Sequence, residues 1–397
     1  MKILIIHNFY LKKGGEDTTV FSEKRILEEN GHLVYLYTKS NEEFKKGNLF
    51  ERIFKIFEIF FSFATYRELK KIIKKFKPDV IHVHNIFLRI SPSVYFIAKK
   101  YNIPVVQTLH NYRFLCLNGL FLLNNGKICE KCKNGNFIYG VINRCYRNSF
   151  FQSLIVSLII FIYRKIFKTF TKKIDIFISP SNFLKRKMKG TKDFRKAKII
   201  FKPHFVEVKK DIDIEKFEDY VLYLGRISKE KGILTLLEGF EKIKNFRLVI
   251  AGDGPLVEEV KEIIQRQKLN NVSFIGYLNG DKKDSILRKA SVTVLPSEWY
   301  ENMPYSILES FAYGVPVIAS CIGGLRELVI DGYNGLLFEH GNSEDLADKV
   351  AWAWNHPKEM AEMGWEARKE YERKYTAEKN YEMLMEIYKL AKEKAGR

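Results

Sequence analysis

The chain spells out two series of short apolar runs separated by helical stretches, and this alternation limits the fold more than any other feature. The first series is KILIIHN, LVYLYTK, DVIHVHN, PVVQTLH, IDIFISPS and AKIIFKP. The second restarts at Tyr220 with VLYLG and continues through RLVIAGDG, VSFIGY, VTVLPS, PVIAS and GLLF. Short runs rich in Val and Ile read as buried strands. Strands that alternate with helices argue for parallel sheets. The expectation is an α/β protein with two Rossmann-like, doubly wound domains, and 397 residues are enough to pack both. Between the series, Phe205–Asp219 loses the pattern in the charged VEVKKDIDIEKFED. The domains are placed at residues 1–205 and 206–375. A last amphipathic helix, Thr376–Lys394, lies within 376–397, contributes no strand and is expected to pack back on the first domain.

The stretch Val292–Ser320, VTVLPSEWYENMPYSILESFAYGVPVIAS, carries the densest chemistry. It reads as strand, loop, helix and strand. Pro304 is placed at the first helical position, where its missing N–H is no loss. Gly314 stands where a glycine ends a helix. Glu301 falls at the strand's C-terminal lip, where ligands bind in a doubly wound sheet, and Glu309 falls on the helix. A helix rises about 1.5 Å per residue, so the two carboxylates can grip different parts of one elongated ligand. Between them lie the free N–H groups of the helix start, offered by Asn302, Met303 and the residues just after Pro304. A nucleotide-diphosphate sugar has the matching parts.

Further residues fall at strand ends. Gly14-Gly15 follows the first strand and lets backbone N–H groups approach a phosphate at a helix N-terminus. Arg226 ends YVLYLG and Lys231 precedes the helix GILTLLEGF, a pair able to clamp a diphosphate from two sides, although either alone reads equally as solvated surface charge. Gly252 and Gly254 in AGDGP come from the same lip and are either donor contacts or a plain strand-to-helix turn. His110 ends the strand PVVQTLH; a lone histidine is more often structural, but this position favours a functional one.

Arg226, Lys231, the E-x7-E pair Glu301/Glu309 and Gly14-Gly15 together resemble the retaining glycosyltransferases of family 4, which have the GT-B fold of two domains facing across a cleft. The resemblance covers nearly the whole chain. It implies that Arg226 and Lys231 hold the donor diphosphate and stabilise the leaving nucleotide, that Glu301 contacts the transferred sugar, and that Glu309 holds the ribose. It further implies that Gly15 lets the N-terminal loop close over the phosphate and that His110 faces the sugar near the anomeric carbon. Two departures stand out. Many relatives have His-Asp where this chain has His110-Asn111, and Glu-Gly-Phe-Gly where it has Glu301 followed by Asn302-Met303-Pro304-Tyr305. The implied reaction retains configuration and requires no catalytic metal. A sugar-nucleotide epimerase or phosphorylase on the same frame is the alternative, and it needs an added base or cofactor lysine that the sequence does not point to.

The net charge of +20 calls for an acidic partner: nucleic acid, an anionic membrane or a phosphorylated substrate. A nucleic-acid-binding protein leaves Arg226, Lys231, Glu301 and Glu309 unexplained. Asn48–Lys77 and Phe150–Lys173 mix Phe and Ile with Lys and Arg in the manner of interfacial helices, and the alternative is two core helices with solvated basic faces. The longest apolar run, Phe150–Tyr163, is shorter than the roughly 20 residues a membrane span needs. With no leader evident before the first strand, the expectation is a cytoplasmic enzyme, peripheral on the membrane, acting on a lipid-linked or polysaccharide-precursor acceptor. Inside a polar insertion at about 113–148, Cys116, Cys129, Cys132 and Cys145 form C-x12-C-x2-C-x12-C. Four thiolates with a central C-x-x-C suit a structural zinc site, and four free thiols or a regulatory disulfide is the alternative.

Overall fold

A computed structural model describes residues 1–10, 14–42, 58–208 and 218–396. The chain divides into two compact units, Met1–Pro203 with Asn380–Arg397, and His204–Lys379. Of the basic aromatic stretch 48–77, residues 48–57 lie outside the described residues, as do residues 209–217 of the charged connection.

The first unit runs β1 (Lys2–Phe9), α1 (Gly15–Glu29), β2 (Leu33–Ser40), α2 (Phe63–Phe76), β3 (Val80–Val83), α3 (Ser93–Lys100) and β4 (Val105–Thr108). After the cysteine-containing segment come α4 (Ile138–Ile142), α5 (Phe150–Phe161), a wide π turn (Ile162–Ile166), α6 (Thr169–Lys172), β5 (Ile176–Ser179), α7 (Asn182–Lys189) and β6 (Ile199–Phe201). The six strands are parallel in the order β2-β1-β3-β4-β5-β6. Because β2 and β3 flank β1 on opposite sides, the winding reverses at β1, and the crevice at its C-terminal end is where such a sheet binds ligands. Ile3, Leu4, Ile5 and Ile6 of β1 and Val80 and Ile81 of β3 are consecutive and fully buried, as helices on both faces require.

The second unit begins with β7 (Glu218–Leu224), a 3-10 turn (Lys229–Lys231), α8 (Ile233–Lys242), β8 (Leu248–Ala251), α9 (Val257–Arg266) and β9 (Val272–Gly276). It continues with α10 (Gly280–Lys289), β10 (Ala290–Leu295), α11 (Tyr305–Ala312), β11 (Val317–Ser320), α12 (Leu325–Leu328), β12 (Gly335–Phe338), α13 (Ser343–Asn355) and α14 (Pro357–Lys374). Its order, β12-β11-β10-β7-β8-β9, reverses between β10 and β7. Those two strands end at the loops of Glu301 and Arg226, so the winding itself brings the two candidate loops side by side.

The last helix, α15 (Ala377–Lys394), contributes Leu384, Ile387, Tyr388 and Ala391 to the core formed by Ile3, Ile5, Val80, Val106 and Ile176 of the first unit.

Two expectations need correction. Pro304 is not the first helical residue. It caps the helix with extended backbone (ψ 133°), and α11 starts one residue later, after Met303 has turned inward to accept the His204 N–H on its sulfur. The segment Phe150–Lys173 does not set apolar residues against cations. Helix α5, FFQSLIVSLIIF, carries no charge, and its outward positions Phe151, Leu154, Leu158 and Phe161 are all exposed. Arg164 points inward, fully buried, with its Nε 2.5 Å from Asp193 and its terminal nitrogens donating to the Phe114 and Lys133 carbonyls. A buried guanidinium has five donors to satisfy, and this one is held by backbone and carboxylate rather than offered to an anion.

Candidate active site

In the second unit the site is built by two loops pressed together. Gly232 has φ +68°, and a Cβ there would stand 1.7 Å from the Pro296 carbonyl oxygen, so only glycine lets the loop after β7 lie against the loop after β10. The backbone bond from Glu298 N to Glu230 O and the side-chain bond from Thr235 Oγ1 to Glu298 complete the join. As a result Lys231 Nζ lies 2.5 Å from Glu301 Oε1, and Ser297 Oγ donates to the same oxygen at 2.7 Å. Glu301 is 4% exposed, so the lysine supplies the charge its burial requires. Lys231 also stands over the Trp299 ring. Arg226 is exposed at the end of β7, its own carbonyl accepting from Tyr223 Oη.

Glu309 sits on α11 and is half-buried, with Lys283 of α10 2.8 Å away. Burial raises its carboxyl above the ordinary range, Lys283 works against that, and Asp284 adds to it. Asn302 and Met303 lie between the two glutamates, and Met303 is buried. Gly252 and Gly254 pack against backbone: a Cβ at the first would meet the Gly225 carbonyl at 1.8 Å and at the second the Ile227 carbonyl at 2.1 Å. They let the β8 loop support the one carrying Arg226.

A second glycine pair, Gly323-Gly324, was not singled out from the sequence. Gly324 N donates to Glu301 O, and a Cβ on Gly324 would stand 2.2 Å from Asn302 O. The pair is a wall behind Glu301. Its position between β11 and α12, at the same sheet edge as the other loops, was the available signal.

In the first unit, Gly14 caps α1, and its N–H donates to the Asp17 carboxylate at 3.0 Å. That donor is therefore occupied within the helix start. Asp17 also accepts from His7 Nε2 at 2.7 Å. The neighbouring Glu16 is pushed up to about 8 by burial and by Asp17, with the Asn85 hydrogen bond and Arg113 working the other way.

His110 ends β4 and lies 3.0 Å from His84, Nε2 to Nδ1. His84 in turn stands 3.4 Å from Glu23, whose other oxygen is 2.7 Å from Lys202 Nζ. Burial lowers the pKa of both His82 and His84, so both are neutral rings at physiological pH. For Glu23, burial acts upward, but Lys202 and the histidines outweigh it and hold the carboxyl well below its usual range. With a carboxylate facing Nε2 of a neutral His84, the proton belongs on that nitrogen, and Nδ1 accepts from His110 Nε2. The buried Lys202–Glu23 ion pair thus stands behind the His84–His110 contact. Glu23, His84 and Lys202 also escaped the reading of the sequence. The signal was the pair of histidines two residues apart in VIHVHN, on one face of an otherwise apolar strand. Next to His110 and His84 opens a mainly apolar cavity of about 80 Å³, walled further by Phe87, Ile159 and Ile160, the last two from α5.

Residues 13–210 match the family described as Glycosyltransferase Family 4, and residues 205–370 match the one described as Glycosyl transferases group 1. The chain belongs to the family 4 glycosyltransferases. Its two Rossmann-like units are the GT-B pattern of that family. This glycosyltransferase is 33% identical over 171 residues to an uncharacterised glycosyltransferase of Methanocaldococcus jannaschii, covering 43% of this chain and 48% of the relative. The match thus spans about half the length of that relative. It is also 25% identical over 366 residues to the alpha-monoglucosyldiacylglycerol synthase of Streptococcus pneumoniae, covering 87% of this chain and 76% of the synthase. Among solved structures, a glycosyltransferase from Rickettsia africae shares the fold with a TM-score of 0.71 at 18% identity, over 98% of each chain. Among the described residues, no helix is long and apolar enough to cross a membrane.

Proposed function

We propose that this glycosyltransferase is a hexosyltransferase that moves a sugar from a UDP- or GDP-linked donor to a lipid-linked or polysaccharide-precursor acceptor with retention of configuration. The observation that carries the reading is the buried Glu301 carboxylate, fixed by Lys231 and Ser297 at the reversal point of the second sheet. A carboxylate held by one oxygen keeps the other available to sugar hydroxyls. An ammonium has three protons, so Lys231 can keep Glu301 and still donate to a phosphate. Arg226, exposed on the adjoining loop, supplies the second cation, and Glu309 grips the ribose. As the glycosidic bond breaks, Arg226 and Lys231 stabilise the charge that grows on the departing diphosphate. The acceptor hydroxyl then attacks from the face the nucleotide leaves, and a phosphate oxygen takes its proton. His110, 3.0 Å from His84, is assigned the sugar-facing role that the family resemblance implies. The two cations do the work of a divalent ion, so transfer is proposed to proceed in the presence of a chelator.

The acceptor reading rests on the cavity beside His110. Its apolar walls include the inner side of α5, and the outer side of α5 is itself apolar and exposed. A lipid-linked acceptor lying in an anionic membrane, bound peripherally at its cytoplasmic face, fits both sides of that helix. The name of the streptococcal relative, a diacylglycerol glycolipid synthase, points the same way.

The test is a thermal-shift screen of UDP- and GDP-sugars, followed by nucleotide release with and without lipid acceptor in EDTA. Stabilisation by one donor and acceptor-dependent release are expected. Failure of every sugar nucleotide to bind would overturn the reading, and a donor whose sugar is changed without transfer would make the protein an epimerase.

A further inference from the structure

The segment between His110 and α5 has little regular structure to hold it. Beyond the five-residue α4 and an isolated bridge between Leu122 and Ile128, it is built from turns. Its buried side chains, Leu117, Phe137 and Val141 with Cys132 and Cys145, pack against Val156 and Ile160 of α5. All five cysteines of the chain are free thiols, and four of them line one small cavity of about 10 Å³. That volume holds one ion or one water and excludes any organic ligand. The remaining walls are Leu117, Leu122, Leu123, Tyr139 and Gly140, so the sulfurs are the cavity's soft donors.

The backbone is arranged around the sulfurs as well. Cys116 Sγ donates to Asn118 Oδ1 at 3.1 Å, and Leu120 N donates to the same oxygen at 2.9 Å. Phe121, beside that turn, adopts φ +54°, a left-handed conformation uncommon for a non-glycine residue. A Cβ on Gly140 would stand 3.2 Å from the Cys132 sulfur, so this residue leaves room for the sulfur's position. On the outer side, buried Arg164 anchors the Cys132–Gly135 turn through the Lys133 carbonyl.

We propose that Cys116, Cys129, Cys132 and Cys145 bind a single zinc ion as a tetrathiolate structural site that fixes the loop following His110. Four sulfur donors favour tetrahedral zinc or an iron–sulfur cluster, and the size of the cavity selects one ion. The link to the active site is direct. Tyr112 N donates to Gly119 O, Cys116 N to Tyr112 O, and Arg113 to the Leu117 carbonyl. Residues 112 and 113, immediately beyond His110-Asn111, are thereby tied to the turn that carries Cys116. Binding exchanges thiol protons for the metal: each cysteine that coordinates gives up its proton to solvent.

The test uses the full chain, purified under reducing conditions without added metal. Elemental analysis should find about one zinc per chain, and X-ray absorption should find four sulfurs at about 2.3 Å. Titration with an organomercurial in the presence of a zinc indicator should release the ion as the thiols are consumed. Cobalt(II) substitution should give the thiolate charge-transfer and d–d bands of a tetrahedral site. Cys132→Ser and Cys145→Ser should each lose most of the zinc, whereas Cys321→Ser should keep it. Those two variants could fail to fold, and the wild-type measurements stand without them. Freely reactive thiols at all five positions with less than about 0.2 zinc per chain would overturn the proposal. So would iron in place of zinc, or disulfides among the four found by mass spectrometry.

Discussion

Lys231 Nζ lies 2.5 Å from Glu301 Oε1, and this one contact ties the stability of the second unit to its chemistry. Replacing Lys231 by Ala leaves a buried carboxylate without its counter-charge, which should cost on the order of 3 kcal/mol. The same change should lower kcat/KM by about 100-fold or more, because a group that stabilises the leaving phosphate is gone. Lys231→Ala combined with Glu301→Ala should regain much of the stability and none of the activity. Thermal denaturation and initial rates separate the two effects, and equal melting temperatures for the single and double variants would show that the pair is not coupled.

Gly324 should tolerate no side chain. The nearest atoms to an added Cβ are the Asn302 and Glu301 carbonyl oxygens, at 2.2 and 2.7 Å, and backbone cannot swing aside as a side chain can. Gly324→Ala is expected to cost about 2 kcal/mol or more. It should also raise KM for the donor by displacing Glu301. A variant with wild-type melting and kinetics would show that the loop yields freely.

Glu23→Gln should leave the Lys202 ammonium buried without its carboxylate, at a cost of about 3 kcal/mol. Glu23→Gln with Lys202→Met removes both charges and should recover stability. Neither variant should recover kcat, since His84 has lost the group that orients it toward His110. Recovery of full activity in the double variant would reduce the line to a structural role.

Glu16 makes stability depend on pH in the first unit. With its carboxyl raised from 4.5 to about 8, the folded chain keeps a proton that the unfolded chain releases near the lower value. The contribution is complete below that lower value and is lost as pH rises through about 8. Glu16→Gln, neutral throughout, should melt close to wild type near about pH 5 and above it near about pH 9. Parallel melting curves for the two proteins across that range would exclude the shift.

The outer stripe of α5 should govern membrane binding. Phe151 is 76% exposed and Phe161 44%. Each Phe buried in lipid contributes up to about 2 kcal/mol. Phe151→Ser with Phe161→Ser should therefore weaken co-sedimentation with anionic vesicles at least tenfold and leave donor binding unchanged. Undiminished sedimentation would place the contact elsewhere.

The strands were legible because each is a short Val- and Ile-rich run with no competing helical period, and each run corresponds to a strand of one of the two sheets. Glu301, Lys231 and Arg226 were legible because they stand at strand ends, where a doubly wound sheet displays its loops. The hidden parts depend on approach in space. Gly324 is one glycine among 24, and only the Asn302 carbonyl beyond it shows why it is one. Glu23 and Lys202 are far apart in sequence, and each read alone looks like a surface charge until folding buries both. Arg164 misled for the same reason. A cation in YRKIFKTFTKK reads as solvated, but Asp193 and two carbonyls claim it.

Helix α15 has a consequence for how the molecule is made. Its Leu384, Ile387, Tyr388 and Ala391 fill the core of a sheet whose strands are all synthesised before residue 204. On the ribosome that sheet must wait, with Ile3, Val80, Val106 and Ile176 incompletely covered, while the entire second unit emerges. The second unit is continuous in sequence and can close first. A nascent chain halted before Leu384 should accordingly expose apolar surface in the earlier-made unit, the one most in need of a chaperone.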